Sequence, residues 1–249
     1  ATGHCRVAGR NNRLEGRLLV SRITLHCFNQ IRYQVEPALQ LHINLGPSVV
    51  HLVAPTHQLL SLFESDGKRV LEPFHWGMQP LWNAQQDGRA PVINARAETI
   101  TEKPMFRDRI VGGRCVVAVN GYYEWLTTHA AQQKIPYFIS AQNMRLINMC
   151  ALWHTRVIGE TSVKEVAIIT VAANEQLSAV HHRMPAIVDP INVDTWLKGS
   201  IADSVQLLQS WGGEPLQMHE VSTRVNAVRN NSPDNIAQVS TQVLPTLFD

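Results

Sequence analysis

Short runs of apolar and β-branched residues, broken by Gly, Pro, Asn or Asp, recur along this chain more often than any helical period. Ser48–Ala54, Leu59–Phe63, Arg69–Trp76, Cys115–Trp125, Pro136–Ala141, Arg145–Trp153, Glu165–Ala172 and Pro185–Val188 all read as strands. They are rich in Val, Ile, Tyr and Phe, whose branched or flat side chains pack well on a pleated surface. Helical patterns are confined to Leu14–Gln30, Asn174–Ala179, Pro190–Lys198 and Ile201–Trp211. Asp189 stands where an N-cap belongs and Pro190 at the first helical position, where a missing N–H costs nothing. Gly212–Gly213 is expected to stop the last helix. No repeat, low-complexity tract or linker divides the 249 residues. The pattern predicts one α+β domain over residues 1–249: a mainly antiparallel, barrel-like, folded-over sheet with several helices around it.

Composition narrows the classes. With 45% apolar and 17% charged residues, the chain has ample core and too few charges for a disordered segment. No apolar run approaches the roughly 18–20 residues that span a bilayer, and no signal peptide is visible, so no membrane partner is expected. The four cysteines, Cys5, Cys27, Cys115 and Cys150, show no CxxC spacing. Structural zinc and redox pairs are therefore not expected, and reduced thiols in a cytoplasm are the default.

Net charge is only +2, but its distribution is uneven. Residues 1–35 hold six arginines (Arg6, Arg10, Arg13, Arg17, Arg22, Arg32) against the single acid Glu15, while the rest of the chain is net acidic. Of the 22 basic residues 17 are arginine, the side chain that grips phosphate or carboxylate with two parallel hydrogen bonds. An acidic partner for the N-terminal region follows.

Four stretches carry candidate chemistry. Alternation in Asn94–Thr99 puts Asn94, Arg96 and Glu98 on one face of an extended segment, either a functional face or a strand end with an Arg–Glu pair. Glu124 lies among the aromatics of Gly121–Trp125, where burial suits a carboxyl to general acid/base work, or where it is salt-bridged to an Arg. His181 and His182 precede Arg183 in a loop, a setting for proton transfer near neutrality beside an anion, or for an inert loop histidine. Val221–Asn226 is a polar strand end. These add an amide, an arginine, a carboxylate and a histidine, without a serine elbow, P-loop or metal-ligand spacing. No metal and no cofactor are expected. Cys5, in the most basic part of the chain, is the candidate nucleophile, because neighbouring arginines favour the thiolate.

Read together, these segments resemble the SOS response-associated peptidase (SRAP) family, abasic-site sensors that crosslink to DNA. The resemblance rests on His42–Pro47, His75-Trp76-Gly77, Val92–Thr99, Gly121-Tyr122-Tyr123-Glu124-Trp125, His181–Pro185, and Val221-Ser222 with Val225-Asn226. It implies a bifurcated, barrel-like sheet. It also implies a cysteine, freed at the N-terminus, that attacks the ring-opened aldehyde of an abasic site in single-stranded DNA. The chemistry needs both groups of such a cysteine. An α-amine of pKa about 7.7–8 is on the order of one-tenth neutral at pH 7 and forms a Schiff base; the adjacent thiol then closes a thiazolidine.

By the same resemblance, Glu124 relays protons at the amine and hydroxyl, His181 assists sugar ring opening, and Asn94 holds the cysteine and the adduct. Arg96 and Arg183 would bind phosphates, a salt-sensitive contribution. Trp76 and Trp82 would stack against exposed bases, with Asn44 also at the DNA. A monomeric, cytoplasmic, nucleoid-associated protein without metal or cofactor is implied. Four residues, Ala1–His4, precede Cys5, where the family pattern begins Met-Cys-Gly-Arg. They are an expression remnant, a segment the protein removes itself, or a diverged start that has given up crosslinking. A noncovalent single-stranded DNA-binding module and a cysteine peptidase using Cys5, His181 and Glu124 stand as the alternative functions.

Overall fold

The computed structural model describes residues 22–24, 52–81, 90–128, 134–142 and 146–239. Eleven strands lie among them: β1 (Arg22–Thr24), β2 (Gln58–Ser65), β3 (Lys68–Trp76), β4 (Asn94–Arg96), β5 (Arg114–Val119), β6 (Gly121–Thr127), β7 (Lys134–Ala141), β8 (Ile147–Ile158), β9 (Thr161–Ala172), β10 (Arg183–Pro185) and β11 (Leu216–Glu220).

Strands β9, β3, β2, β5 and β8 close on themselves, because β8 pairs with β9 as well as with β5. The result is a five-stranded barrel, antiparallel except where β3 runs parallel to β9. A second sheet, β1-β6-β7-β11, lies beside it. Strands β5 and β9 carry unbroken buried runs, Arg114–Val119 and Glu165–Val171, as strands covered on both faces must. The main core fills the barrel, with Phe63, Phe74, Trp76, Tyr122 and Trp196 among its largest members. A smaller cluster, Leu52, Tyr123, Phe138, Val221 and Val225, packs on the other face of the second sheet. The expected α+β, barrel-like and mainly antiparallel architecture is the one found.

Several boundaries move. Cys115–Trp125 is two strands rather than one: the chain turns at Asn120 and passes from barrel to second sheet. Gly121 follows that corner, and a Cβ on it would stand 2.4 Å from the Phe138 ring, so the close crossing requires glycine. Arg22–Thr24, inside the expected helix Leu14–Gln30, is a strand held by β6; the rest of that helix lies outside the described residues. The extended Val221–Asn226 end is a 3-10 turn over Thr223–Asn226. The last helix stops at Gln206 rather than at Gly212, because the chain diverts to bury Leu208 and to place the Ser210 hydroxyl on the Ala172 carbonyl at 2.6 Å. Asp189 does cap its helix, accepting from the Ile191 amide at 3.0 Å.

The β3–β9 junction is tied by a buried carboxylate. Glu165 accepts from Arg156 Nε at 2.7 Å and from the Gln79 amide at 2.8 Å, and stands 2.9 Å from His154 Nε2. Burial alone would raise its pKa, but the hydrogen bonds from His154, Arg156 and Gln79 outweigh that and bring it down to about 2. Among the described residues no helix is long and apolar enough to cross a membrane, and no group of His, Cys, Asp and Glu is placed to hold a metal. Both Cys115 and Cys150 are buried, with burial pushing their thiols up.

A folded-state pKa near 2, against the ordinary 4.5, means that Glu165 stabilises the fold above pH 4.5 and that this stability is lost as the pH falls toward 2. Urea unfolding across that window should show a loss of about 2–3 kcal/mol that is absent in Glu165→Gln. An unchanged pH dependence in that variant would contradict the assignment.

Candidate active site

Two chain segments meet on opposite edges of β9. On one edge β4 runs parallel, with Asn94 opposite Ile168 and Arg96 opposite Thr170. On the other, β10 runs antiparallel, with Arg183 opposite Ala172 and Pro185 opposite Thr170. This second edge is open to β10 because β8 leaves β9 beyond Ile168 and turns to β5. Thr170, buried, is therefore flanked by the Asn94–Glu98 segment and the His181–Pro185 segment at once.

Local sequence explains each segment. Ala95 points inward and is fully buried, so Asn94 and Arg96 take the opposite face, and Arg96 is exposed. Glu98 does not continue that face, because Ala97–Thr99 winds into a 3-10 turn. His181 follows the short helix Glu175–Ser178, which Asn174 caps by accepting from Leu177 N at 3.0 Å. Its own amide donates to the Leu177 carbonyl at 2.9 Å.

The His181 ring is anchored through Nδ1. That nitrogen accepts from the Arg183 amide at 3.1 Å and stands 3.2 Å from the Arg183 carbonyl, so it keeps a partner whether neutral or protonated. Nε2 is then the ring nitrogen left for chemistry. Burial first, then the charges of His182 and Arg183, lowers the pKa of His181 against one raising contribution from the Arg183 backbone bond. Its ring packs on that of His182 at 4.4 Å.

Arg183 is not presented to solvent. Its guanidinium makes a two-pronged ion pair with Glu98, through Nη1 to Oε1 and Nη2 to Oε2 at 2.9 Å, and Nη2 also donates to the Thr170 carbonyl at 2.6 Å. A phosphate there must share this guanidinium with Glu98, which corrects the expectation of an open phosphate contact. Trp76 also departs from its expected place. It is fully buried, and its Nε1 donates to the Ile93 carbonyl at 3.0 Å, so it cannot stack on a base. It instead fixes the residue before Asn94 from behind. Gly77, at φ +135°, allows this turn; a Cβ there would meet Pro91 Cβ at 2.8 Å.

Glu124 lies in the second sheet, buried on β6 opposite Tyr137. Tyr122, two residues earlier on the same face, has a buried hydroxyl with no hydrogen-bond partner among the described residues. Burial, and then the charge of Glu124, hold that phenol protonated. Strand β1 pairs with β6 so that Arg22 faces Tyr123 and Thr24 faces Gly121. The chain therefore enters β1 from the end of β6 nearer Glu124. Trp125 turns to the other face, where its Nε1 donates to Asn226 Oδ1 at 2.8 Å and links two of the sequence segments. Cys5, Asn44 and Trp82 lie outside the described residues.

Sequence reasoning passed over Thr170 and Glu165, and it read Glu98 only as a neighbour of Arg96. A lone hydroxyl inside Ile168-Ile169-Thr170-Val171 and a carboxylate opening Glu165-Val166-Ala167 are polar interruptions in a buried run, and that was the available signal.

Fold and site together define an α+β protein whose closed mixed barrel carries a polar site on both edges of one strand. The chain belongs to the SOS response associated peptidase (SRAP) family, whose profile matches residues 22–228. It is 33% identical over 188 residues to the abasic site processing protein YoqW of Bacillus subtilis (strain 168), across 74% of this chain and 84% of that protein. It is 32% identical over 207 residues to the abasic site processing protein HMCES of Pongo abelii, across 69% of this chain and 58% of that longer protein. A crystal structure of a Bacteroides thetaiotaomicron protein shares the fold, with TM-score 0.74 and 23% identity over 88% of this chain and 99% of the other. One from Bordetella bronchiseptica does so with TM-score 0.68, 16% identity, and coverage of 81% and 99%.

Because burial favours the neutral ring, His181 should titrate below 6.5 in the folded protein. The unfolded chain then binds this proton first, so the group disfavours folding as the pH falls below 6.5. Proton–nitrogen correlation spectra of the imidazole rings across pH 4–8 check this direction. A midpoint at or above the ordinary value would contradict it.

Proposed function

We propose that this protein processes abasic sites in single-stranded DNA and does so by forming a covalent thiazolidine crosslink through Cys5 once that residue is N-terminal. The observation that carries the reading is the meeting of Asn94–Arg96 and His181 on the two edges of β9 around Thr170, in a chain whose relatives are named for abasic-site processing.

The abasic sugar exists mainly as a closed hemiacetal, and its aldehyde must be released first. Neutral His181, with Nδ1–H donating to the Arg183 carbonyl, takes the C1′ hydroxyl proton at Nε2; the C1′–O4′ bond breaks and O4′ is protonated. The Cys5 amine adds to C1′ to give a carbinolamine. Glu124 takes a proton from the nitrogen and gives it to the departing hydroxyl, which leaves as water and gives the imine. The thiol then adds to the imine carbon and its proton passes to nitrogen, closing the five-membered ring. One C–N and one C–S bond form, one C=O bond is lost, and no oxidant is needed.

Asn94 supplies an amide at the reacting sugar, and exposed Arg96 supplies charge for the flanking phosphate. Trp82 and Asn44 complete the expected DNA contacts. Strand β1 places Arg22 opposite Tyr123, next to Glu124 on β6. Removal of Ala1–His4 by the protein itself fits the peptidase in the family's description, with its own N-terminus as the substrate.

With a chain beginning at Cys5, an oligonucleotide carrying one abasic site should give a species that survives a denaturing gel. Cys5→Ser should abolish it while leaving noncovalent binding within about threefold, and Glu124→Gln should slow it about tenfold or more. A denaturation-stable species formed equally by Cys5→Ser would refute the assignment. Noncovalent binding without any adduct in the unmutated chain would favour the DNA-binding alternative. For Arg96→Ala, binding should weaken and the slope of log affinity against log salt should fall by about one-half to one.

A further inference from the structure

The ion pair between Glu98 and Arg183 does more than close a surface gap. Arg183 is mostly buried, and its Nε is a buried donor without a hydrogen-bond partner among the described residues. Its guanidinium therefore rests on Glu98 and on the Thr170 carbonyl. Its own backbone supplies both atoms that face His181 Nδ1. The neighbouring His182 carbonyl accepts from the Ala173 amide at 3.0 Å and Arg183 opens the β10–β9 pairing, so residues 181–183 are held against β9 by backbone and by the Arg183 side chain together. A fork of two parallel bonds fixes direction as well as distance, which a single contact from a half-exposed residue would not.

We propose that Glu98 is a positioning residue for His181: it locks the Arg183 side chain across β9, and the Arg183 backbone in turn holds the imidazole with Nδ1 inward and Nε2 toward the substrate. This rests on the function proposed above for His181, but half of its test does not. The Glu98 side chain is about half exposed, so its removal leaves the core intact.

The experiment compares unmutated protein, Glu98→Ala and Glu98→Asp. In DNA-free protein, nitrogen correlation spectra should show one neutral His181 tautomer, protonated at Nδ1 with Nε2 bare; Glu98→Ala should give a mixture, and Glu98→Asp, which keeps the charge, should recover much of the single form. In single-turnover adduct formation, Glu98→Ala should lower the maximal rate constant about tenfold, with the half-saturating DNA concentration within about twofold. An unchanged tautomer, or a maximal rate constant within about twofold of the unmutated protein, overturns the proposal. Tighter DNA binding at an unchanged maximal rate also overturns it, showing Glu98 to be a competitor of phosphate for Arg183. If Glu98→Ala does not fold, Glu98→Asp carries both comparisons with a smaller effect in the same direction. If unmutated protein forms no adduct, the reading of function fails and the tautomer measurement alone decides the role of Glu98.

Discussion

Strand β9 has both edges occupied along most of its buried length, and the site exists because the partner on one edge changes partway. Beyond Ile168, β8 departs to pair with β5, and β10 takes its place, while β4 runs along the opposite edge. Backbone hydrogen bonding in a buried sheet leaves no freedom of register, since a shift of one residue would exchange inward and outward faces. Residues far apart in sequence are thereby fixed within one strand's width of each other. Asn94 and Arg96 owe their placement to β4, and Arg183 owes its placement to β10.

Around this frame, side chains that look like ligand contacts in sequence serve as joints. Trp76 gives its N–H to Ile93, Arg183 its guanidinium to Glu98 and Thr170, and Glu165 gathers Arg156, His154 and the Gln79 amide. Exposed ion pairs contribute little, typically under 1 kcal/mol, whereas breaking a buried one costs several kcal/mol because the surviving charge is left in low dielectric. Glu165 belongs to the second kind, which is why it is ionised down to about pH 2 despite its burial. Such joints hold the polar site rigid without filling it.

Much of the architecture was legible in the chain. Alternating and continuous apolar runs marked β2, β3, β7, β8 and β9, and Asp189-Pro190 marked a helix start that the structure keeps. The corner at Asn120 was not, because Cys115–Trp125 is apolar on both sides of it and only the close approach of Phe138 to Gly121 reveals why the chain turns there. Nor was the strand Arg22–Thr24, whose conformation is set by pairing to β6 rather than by local propensity. Asn94, Arg96, Glu124 and the His181-His182 pair stood out by residue type and spacing, and the resemblance to the family singled out His181. Burial of Trp76 and pairing of Arg183 with Glu98 depend on contacts across β3, β4, β9 and β10, which no local pattern encodes.

Central to this account is a covalent bond between one residue and one sugar carbon, and intact-mass spectrometry reads it most directly. Protein beginning at Cys5 and an oligonucleotide with a single abasic site should give a species whose mass is their sum less one water, formed without reductant, with the bridged nucleotide remnant on Cys5 after digestion. A mixture that contains only the two starting masses, or an adduct that appears only after borohydride and maps to a lysine, would contradict it.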